Sequence, residues 1–454
     1  MRSARRTLSR PAVVGIAVLG VTTATAGAGI AAEVAERPES RSAVTPQVDL
    51  KAAAADRAAT DRAAEGTAAA PGRARNVILF VGDGMGAAAR AAGRLAFAGL
   101  ERELYMDSLP VSGLVHTSPD DPEAFVTDSA AGATAYATGT KTFNGAVGVD
   151  PRGNAIPTIL EQARNAGKAT GIVTTSQVTD ATGAAFGAHV SDRGEQSAIA
   201  EQYLTGSRPD VVLGGGEDWW LPEGDEGAFP DAPAEDPEEG SRSDRGDLID
   251  RAEDEGYTYV NSAEGLTAAE GSKLLGLFAN QEMFQQNPEG EGDVYEPVVS
   301  LEQMTEKALS VLAEDEEGFF LVVEEEAVDE FAHSNNAEKT IKAVDELDRA
   351  VLRAKTFAEQ DGETLVITTA DHETGGLSIE SADEGDESGD GDSAEDGPFP
   401  IVGRSDQFVV DWTTTGHTGV DVPLTAYGPG SELFTGTYEN TYVYSAMRLA
   451  LLGY

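Results

Sequence analysis

The sequence predicts an α/β fold with a mainly parallel central sheet and helices on both faces. Three observations carry this. Short apolar runs recur and end in acids or glycines, helix-like stretches lie between them, and 40% apolar residues in a chain of 454 supply a large core.

In chain order, Asn76–Val81 is a continuous apolar run ending in Gly82-Asp83-Gly84, which reads as a buried strand delivering an acid at its carboxyl end. Ala169–Thr174 leads towards Asp180, and Val211-Val212-Leu213 ends in Gly214-Gly215-Gly216. Phe319–Val323 ends at Glu324, and Thr364–Thr369 ends in Asp371-His372. Helix-like stretches at Ile156–Ala166, Leu301–Ala313 and Ala337–Ala358 separate these runs, an alternation that favours parallel strands. Ligands bind such sheets beyond the carboxyl ends of the strands, where the acids and histidines fall.

The first 32 residues read as a signal peptide. Arg2, Arg5 and Arg6 precede an uncharged stretch, residues 11–32, rich in Ala, Val and Gly, with small-residue cleavage sites at Ala24-Thr25-Ala26 and Ala26-Gly27-Ala28. The pair Arg5-Arg6 points to twin-arginine export. An uncleaved membrane anchor is the alternative, but the many Gly, Ala and Thr residues make a poor permanent helix and favour cleavage. Residues 33–74 are an Ala-rich, low-complexity linker without large apolar side chains. Residues 75–454 form the main domain, with acidic loops at about 216–248 and 380–397; the second holds nine acids and no base. Both loops are expected to be solvated surface. The segment Asp390-Gly391-Asp392-Ser393-Ala394 fails the calcium-loop pattern at its third acid.

With 79 acidic and 32 basic side chains, the formal charge is −47. Nucleic-acid backbones and anionic membrane surfaces are excluded as partners, because both need a basic footprint. Self-repulsion on this scale is relieved by salt or bound cations, so a saline habitat is expected. Cysteine is absent, so no disulfide or thiolate ligand exists and any metal must use His, Asp, Glu or other oxygen donors. There are only five histidines: His116, His189, His333, His372 and His417.

Asp371-His372 stands at a strand end, Asp329 and His333 share one face of a helical turn near Glu324, and His417 lies in a Gly-flanked, Thr-rich stretch. Donors of this kind suit zinc at an open site, with a harder oxygen-only neighbour for magnesium. Ser129 opens an Ala-rich helix in which Asp128 or Ser129 serves as cap, and a helix N-terminus favours a phosphoryl group. A serine hydroxyl needs a base or a metal to become a nucleophile, and no histidine lies near it in sequence.

These segments together resemble the alkaline phosphatase family over about residues 76–454. The resemblance rests on Asn76–Gly86 (NVILFVGDGMG), Thr127–Thr142 (TDSAAGATAYATGTKT), Gln177–Arg193 (QVTDATGAAFGAHVSDR), Val323–His333, Thr369–Gly376 and Thr415–Gly428, six site segments in family order. Leu213–Gly216 and Leu274–Phe278 are further landmarks. The resemblance implies a phosphomonoesterase acting through a phosphoserine at Ser129, with two Zn2+ and one Mg2+. It implies Asp329, His333 and His417 on the first zinc and Asp83, Asp371 and His372 on the second. Asp83, Thr182 and Glu324 would hold magnesium, Asp180 would orient its waters, and Arg193 would clamp the phosphate. It also implies small phosphomonoester substrates and, since family members are often dimers, a homodimer. The chain departs from the family pattern at Glu325 and Glu326, where small residues are common, and at Glu330, where relatives often carry Lys, His or Trp. Glu330 is expected beside the phosphate or its water shell, the alternative being one more outward-facing surface acid.

Two alternatives stand beside this reading. Sulfatases and phosphodiesterases share the fold, but related sulfatases carry Pro and then Arg beginning two residues after the nucleophile, and Ser129-Ala130-Ala131-Gly132 does not. A secreted cation-binding protein with a vestigial site should have lost Ser129, Arg193 or a histidine, and all are present.

Overall fold

The computed structural model describes residues 72–231, 240–284, 295–382 and 395–454. The signal peptide, nearly all of the linker and most of the second acidic loop lie outside the described residues. Among the described residues, no helix is long and apolar enough to cross a membrane.

The strands are β1 (Asn76–Gly82), β2 (Val111–His116), β3 (Ala169–Gln177), β4 (Val211–Gly215), β5 (Thr258–Val260), β6 (Leu274–Leu277), β7 (Phe319–Glu325) and β8 (Thr364–Thr369). They continue with β9 (Glu373–Thr374), β10 (Ser378–Ser381), β11 (Asp396–Pro400), β12 (Gln407–Asp411), β13 (His417–Thr418), β14 (Val422–Tyr427) and β15 (Gly436–Glu439). Ten of them form one sheet in the order β15-β2-β14-β8-β1-β7-β3-β4-β6-β5. The block from β8 through β1, β7, β3, β4 and β6 to β5 is parallel throughout. β14 runs antiparallel to both β8 and β2. The sheet is thus mainly parallel, as expected, with a mixed edge that the apolar runs do not announce. β2 explains why: its residues alternate between exposed and half-buried up to Val115, so it lacks the fully apolar texture of a central strand.

β1, β7 and β8 are buried along their whole lengths. Their register aligns Val81 with Glu324 on one side and with Thr369 on the other. Asp83, Glu324 and Asp371 are therefore delivered to one edge of the sheet. The 25-residue helix Ala337–Asp361 covers this part of the sheet with its apolar stripe, which includes Ile341, Val344, Leu347 and Val351. It comes close because residue 82 is glycine: a Cβ there would lie 2.9 Å from Leu347 Cδ2.

The expected helix at Ile156–Ala166 begins three residues later, at Ile159. Thr158 accepts from the Glu161 N–H while Glu161 accepts from the Thr158 N–H, a reciprocal cap that sets the start. The first acidic loop also differs from the solvated loop expected. Glu217 and Asp218 are about 1% exposed, Glu217 accepting from Tyr259 and the Ala228 and Phe229 N–H groups, and Asp218 pairing with Arg242. A buried carboxylate is tolerated when donors surround it.

Glu161 also holds His189, whose Nε2 lies 3.1 Å from Glu161 Oε1, while His189 Nδ1–H donates to Gly148 O at 2.7 Å. Burial alone would lower the His189 pKa, but the Glu161 and Gly148 hydrogen bonds and the Glu161 charge outweigh it and raise the pKa above its usual value. A raised histidine stabilises the fold fully below its unfolded pKa, about 6.5, and that contribution fades as pH rises through the folded value. His189→Ala should therefore destabilise more at pH 6 than at pH 9, by urea unfolding. An equal cost at both pH values would contradict a charged His189–Glu161 pair.

Candidate active site

At the end of β1 the chain turns sharply through Gly84, with φ +64°, and the Gly84 N–H donates to Asp371 Oδ1 at 3.2 Å. A Cβ on Gly84 would sit 2.5 Å from Asp329 Oδ1, so both the turn and the close approach require glycine. Asp83, Asp371 and His372 meet behind this turn: His372 Nε2 lies 3.2 Å from Asp371 Oδ2 and 3.4 Å from Asp83 Oδ1. All three are buried.

A second group adjoins the first. The short helix Ala327–His333 carries Asp329 and His333 one turn apart, with His333 Nε2 3.1 Å from Asp329 Oδ2. His417, on β13, faces them: its Nε2 is 3.0 Å from His333 Nε2 and 3.7 Å from Asp329 Oδ1. The His417 and His372 rings stack with centroids 3.7 Å apart, joining the two groups. The other ring nitrogens point to backbone carbonyls, His333 Nδ1 to Thr415 O at 2.6 Å and His417 Nδ1 to Thr127 O at 2.9 Å. A carbonyl only accepts, so each Nδ1 carries a proton and each Nε2 is turned into the cluster, where it offers a lone pair once its own proton is displaced.

Ser129 is the first residue of the helix Ser129–Thr138, and Asp128 is its cap, accepting from the Ala131 N–H. Although the sequence puts no histidine near Ser129, the fold brings His372 Nε2 to 3.3 Å from Ser129 Oγ across 243 residues. Arg193 Nη2 donates to both Asp180 oxygens, at 2.9 and 3.1 Å, and its Nη1 stands 3.6 Å from Asp128 Oδ2. Asp128 thus links the serine helix to the guanidinium. Thr182 Oγ1 donates to Asp83 Oδ2 at 3.3 Å, and Thr174 Oγ1 donates to Glu324 Oε2 at 2.7 Å.

Charge is poorly compensated here. Burial and the charges of Asp371, Asp329 and Glu324 push Asp83 well above the usual carboxylate range. Burial, then the Asp329 charge, pushes Asp371 up to about 7. Burial, with Asp180 and Asp371 adding to it, raises Glu324 to about 8. Burial lowers His333, but the Asp329 hydrogen bond and charge more than offset it and raise the group to about 9. Asp83 Oδ1 and Asp371 Oδ2 are buried with no hydrogen-bond partner. Orphaned carboxylate oxygens beside inward-facing imidazole nitrogens are a donor set that fits divalent cations. Among the described residues, two groups have ligand atoms within 4.8 Å of one another: Asp83, Asp371 and His372, and Asp329, His372 and His417.

Sequence reasoning passed over several neighbours. Thr174 and Asp128 carry no signal beyond a strand threonine and a cap. In the run Glu324-Glu325-Glu326, strand alternation separates the first two. Glu325 turns away to accept from Thr175 Oγ1 at 2.8 Å and Tyr295 OH at 2.6 Å. Glu326 is 5% exposed with Oε2 lacking a hydrogen-bond partner, and its pKa is raised by burial and by the charges of Asp180, Glu330, Glu282 and Glu324. Glu330 is half-buried, and its charge acts on both Glu326 and His333.

A family model described as alkaline phosphatase matches residues 74–389 and 401–452. Alkaline phosphatase 4 of Bacillus subtilis is 32% identical, covering 81% of this chain and 86% of the relative. The alkaline phosphatase of Escherichia coli is 33% identical, covering 86% and 93%. The solved alkaline phosphatase of the Antarctic bacterium TAB5 superposes with a TM-score of 0.66 at 29% identity, covering 84% of this chain and 99% of that one. A variant of that enzyme has been solved with magnesium bound. Sequence, fold and the strand-end cluster agree: the chain belongs to the alkaline phosphatase family of phosphomonoester hydrolases.

Proposed function

We propose that the chain is a secreted phosphomonoesterase that works through a phosphoserine at Ser129, with two zinc ions and one magnesium ion. The observation that carries the reading is the cluster of buried carboxylates, with Asp83 Oδ1 and Asp371 Oδ2 lacking a hydrogen bond, facing imidazole nitrogens beside Ser129 Oγ. Asp329, His333 and His417 would hold the first zinc; Asp83, Asp371 and His372 the second; and Asp83, Thr182 and Glu324 the magnesium. Bound there, the ions would supply Lewis-acid stabilisation of the charge that develops on oxygen.

Ser129 Oγ forms a bond to phosphorus as the ester O–P bond breaks, and the alcohol leaves with a proton. Water then attacks the phosphoserine, releasing inorganic phosphate and restoring the Ser129 hydroxyl. The N-terminus of the Ser129–Thr138 helix favours the phosphoryl charge. Arg193, held in plane by Asp180 and steadied by Asp128, donates parallel N–H groups to two phosphoryl oxygens. Export rests on Arg2, Arg5, Arg6 and the uncharged stretch after them, and a saline setting rests on the charge of −47.

Ser129→Ala should lower kcat/KM for a chromogenic phosphomonoester by about a thousandfold or more and abolish covalent labelling, leaving only slow hydrolysis. Mapping the label after quenching with isotopic phosphate checks this, and a label on any other residue would contradict it.

Glu330 adds negative charge where a lysine would attract phosphate. At ~6 Å and an effective dielectric of about 20, the repulsion approaches ~3 kcal/mol before screening. Reversing the charge doubles that term, and with solvent screening leaving roughly a quarter of the total, Glu330→Lys should tighten inhibition by inorganic phosphate about tenfold. It should also lower turnover where phosphate release is limiting. An unchanged inhibition constant at fixed ionic strength would remove Glu330 from the phosphate's surroundings.

A further inference from the structure

Two exposed apolar side chains flank the segments that run into the cluster and are not used by the chemistry described so far. Phe125 is 79% exposed and Val420 is 52% exposed, although both belong to segments that enter the cluster. Phe125 stands four residues before Ser129, and Val420 three residues after His417. The two segments are tied together where His417 Nδ1–H donates to Thr127 O at 2.9 Å. They come close again at Gly419, where a Cβ would lie 3.2 Å from Phe125 Cε2.

The exposure of Phe125 does not come from a loose loop. Asp121 accepts from the N–H groups of Glu123 and Asn144, at 2.8 and 3.1 Å. Asn144 then clamps the next stretch, donating to Val126 O at 3.0 Å and accepting from the Asp128 N–H at 3.1 Å. Thr127, two residues on, is 1% exposed. A pinned backbone thus holds a large ring in solvent next to a buried catalytic serine. Such a ring gains from an aromatic or aliphatic partner that covers it.

We propose that Phe125 and Val420 form an apolar lip that receives the leaving alcohol, so that the enzyme favours phosphomonoesters of phenols and other flat apolar alcohols over those of polyols. The inference rests on the reading of Ser129 as the nucleophile. With the phosphoryl group at Ser129, the ester oxygen points away from it, because attacking and leaving oxygens lie in line. The organic group is then carried outward to the rim. Both classes of ester leave the same phosphoserine, so the preference belongs to kcat/KM and not to the later hydrolysis step.

The test compares phenyl phosphate with glycerol 2-phosphate on the parent protein, Phe125→Ala, Val420→Ser and Phe125→Trp. Phe125→Ala should lower kcat/KM for phenyl phosphate about five- to tenfold. It should lower that for glycerol 2-phosphate by no more than about twofold and leave inhibition by inorganic phosphate unchanged. Val420→Ser should act in the same direction by about threefold, and Phe125→Trp should keep the parent preference. Equal losses on both substrates, or weaker phosphate inhibition, would make Phe125 a support of its loop and overturn the lip. An unchanged substrate ratio, with a loss of self-association by sedimentation, would assign the patch to a second copy of the chain and also overturn it. Covalent labelling of Ser129 in every variant separates these failures from failure of the nucleophile assignment, which would show as a parent protein that takes no label.

Discussion

The rest of the site depends on negative charge held away from water at the carboxyl ends of three adjacent strands. β1, β7 and β8 are wholly buried and in register, so Asp83, Glu324 and Asp371 leave the sheet side by side. Asp329 joins them from the helix that follows β7. Burial, and then their mutual repulsion, raises the pKa values of Asp83, Glu324 and Asp371; burial acts on Asp329 in the same sense, but hydrogen bonds from His333 and His417 hold it well below the usual range. Such a cluster persists when cations or protons neutralise it. Histidines 333, 372 and 417 turn nitrogens towards the acids, and backbone carbonyls fix the orientation of two of the three rings. The nucleophile, its helix and the arginine are arranged around this charge.

Arg193 shows how the surroundings are organised. Its guanidinium is shared by Asp180, which immediately precedes the helix carrying Thr182, and Asp128, which caps the helix of Ser129. One cation thereby couples the start of the serine helix to the start of the helix bearing Thr182. Glu326 and Glu330 add further negative charge beside the cluster. Glu326 is buried and feels the charges of Asp180 and Glu330, while Glu325 is absorbed into the core by Thr175 and Tyr295. The triple glutamate is thus three residues with three different surroundings.

Much of this was legible in the sequence because strand ends announce themselves. An apolar run that stops at Gly82-Asp83-Gly84 or at Asp371-His372 encodes both the strand and the acid it delivers, and the parallel core follows from several such runs. The mixed edge was not legible, since β2 and β15 are largely exposed or half-buried and carry no continuous apolar run. The burial of Glu217 and Asp218 was hidden by the composition around them, which is that of a solvated loop. Proximity across the fold was equally hidden. Nothing local links Ser129 to His372, or Phe125 to Gly419, because those contacts arise only when loops from distant segments converge on one edge of the sheet.

The central claim, that the buried acid cluster is built to be neutralised by divalent cations, is tested most directly by thermal unfolding of the chelator-stripped protein, with bound metal counted after reloading. With zinc and magnesium restored at pH 8, the account predicts about three bound equivalents per chain and a melting temperature higher by about 10 °C or more, since ligands that bind only the native state stabilise it by mass action. A stripped protein that melts at the same temperature as the reloaded one, or that retains no metal on reloading, would contradict it.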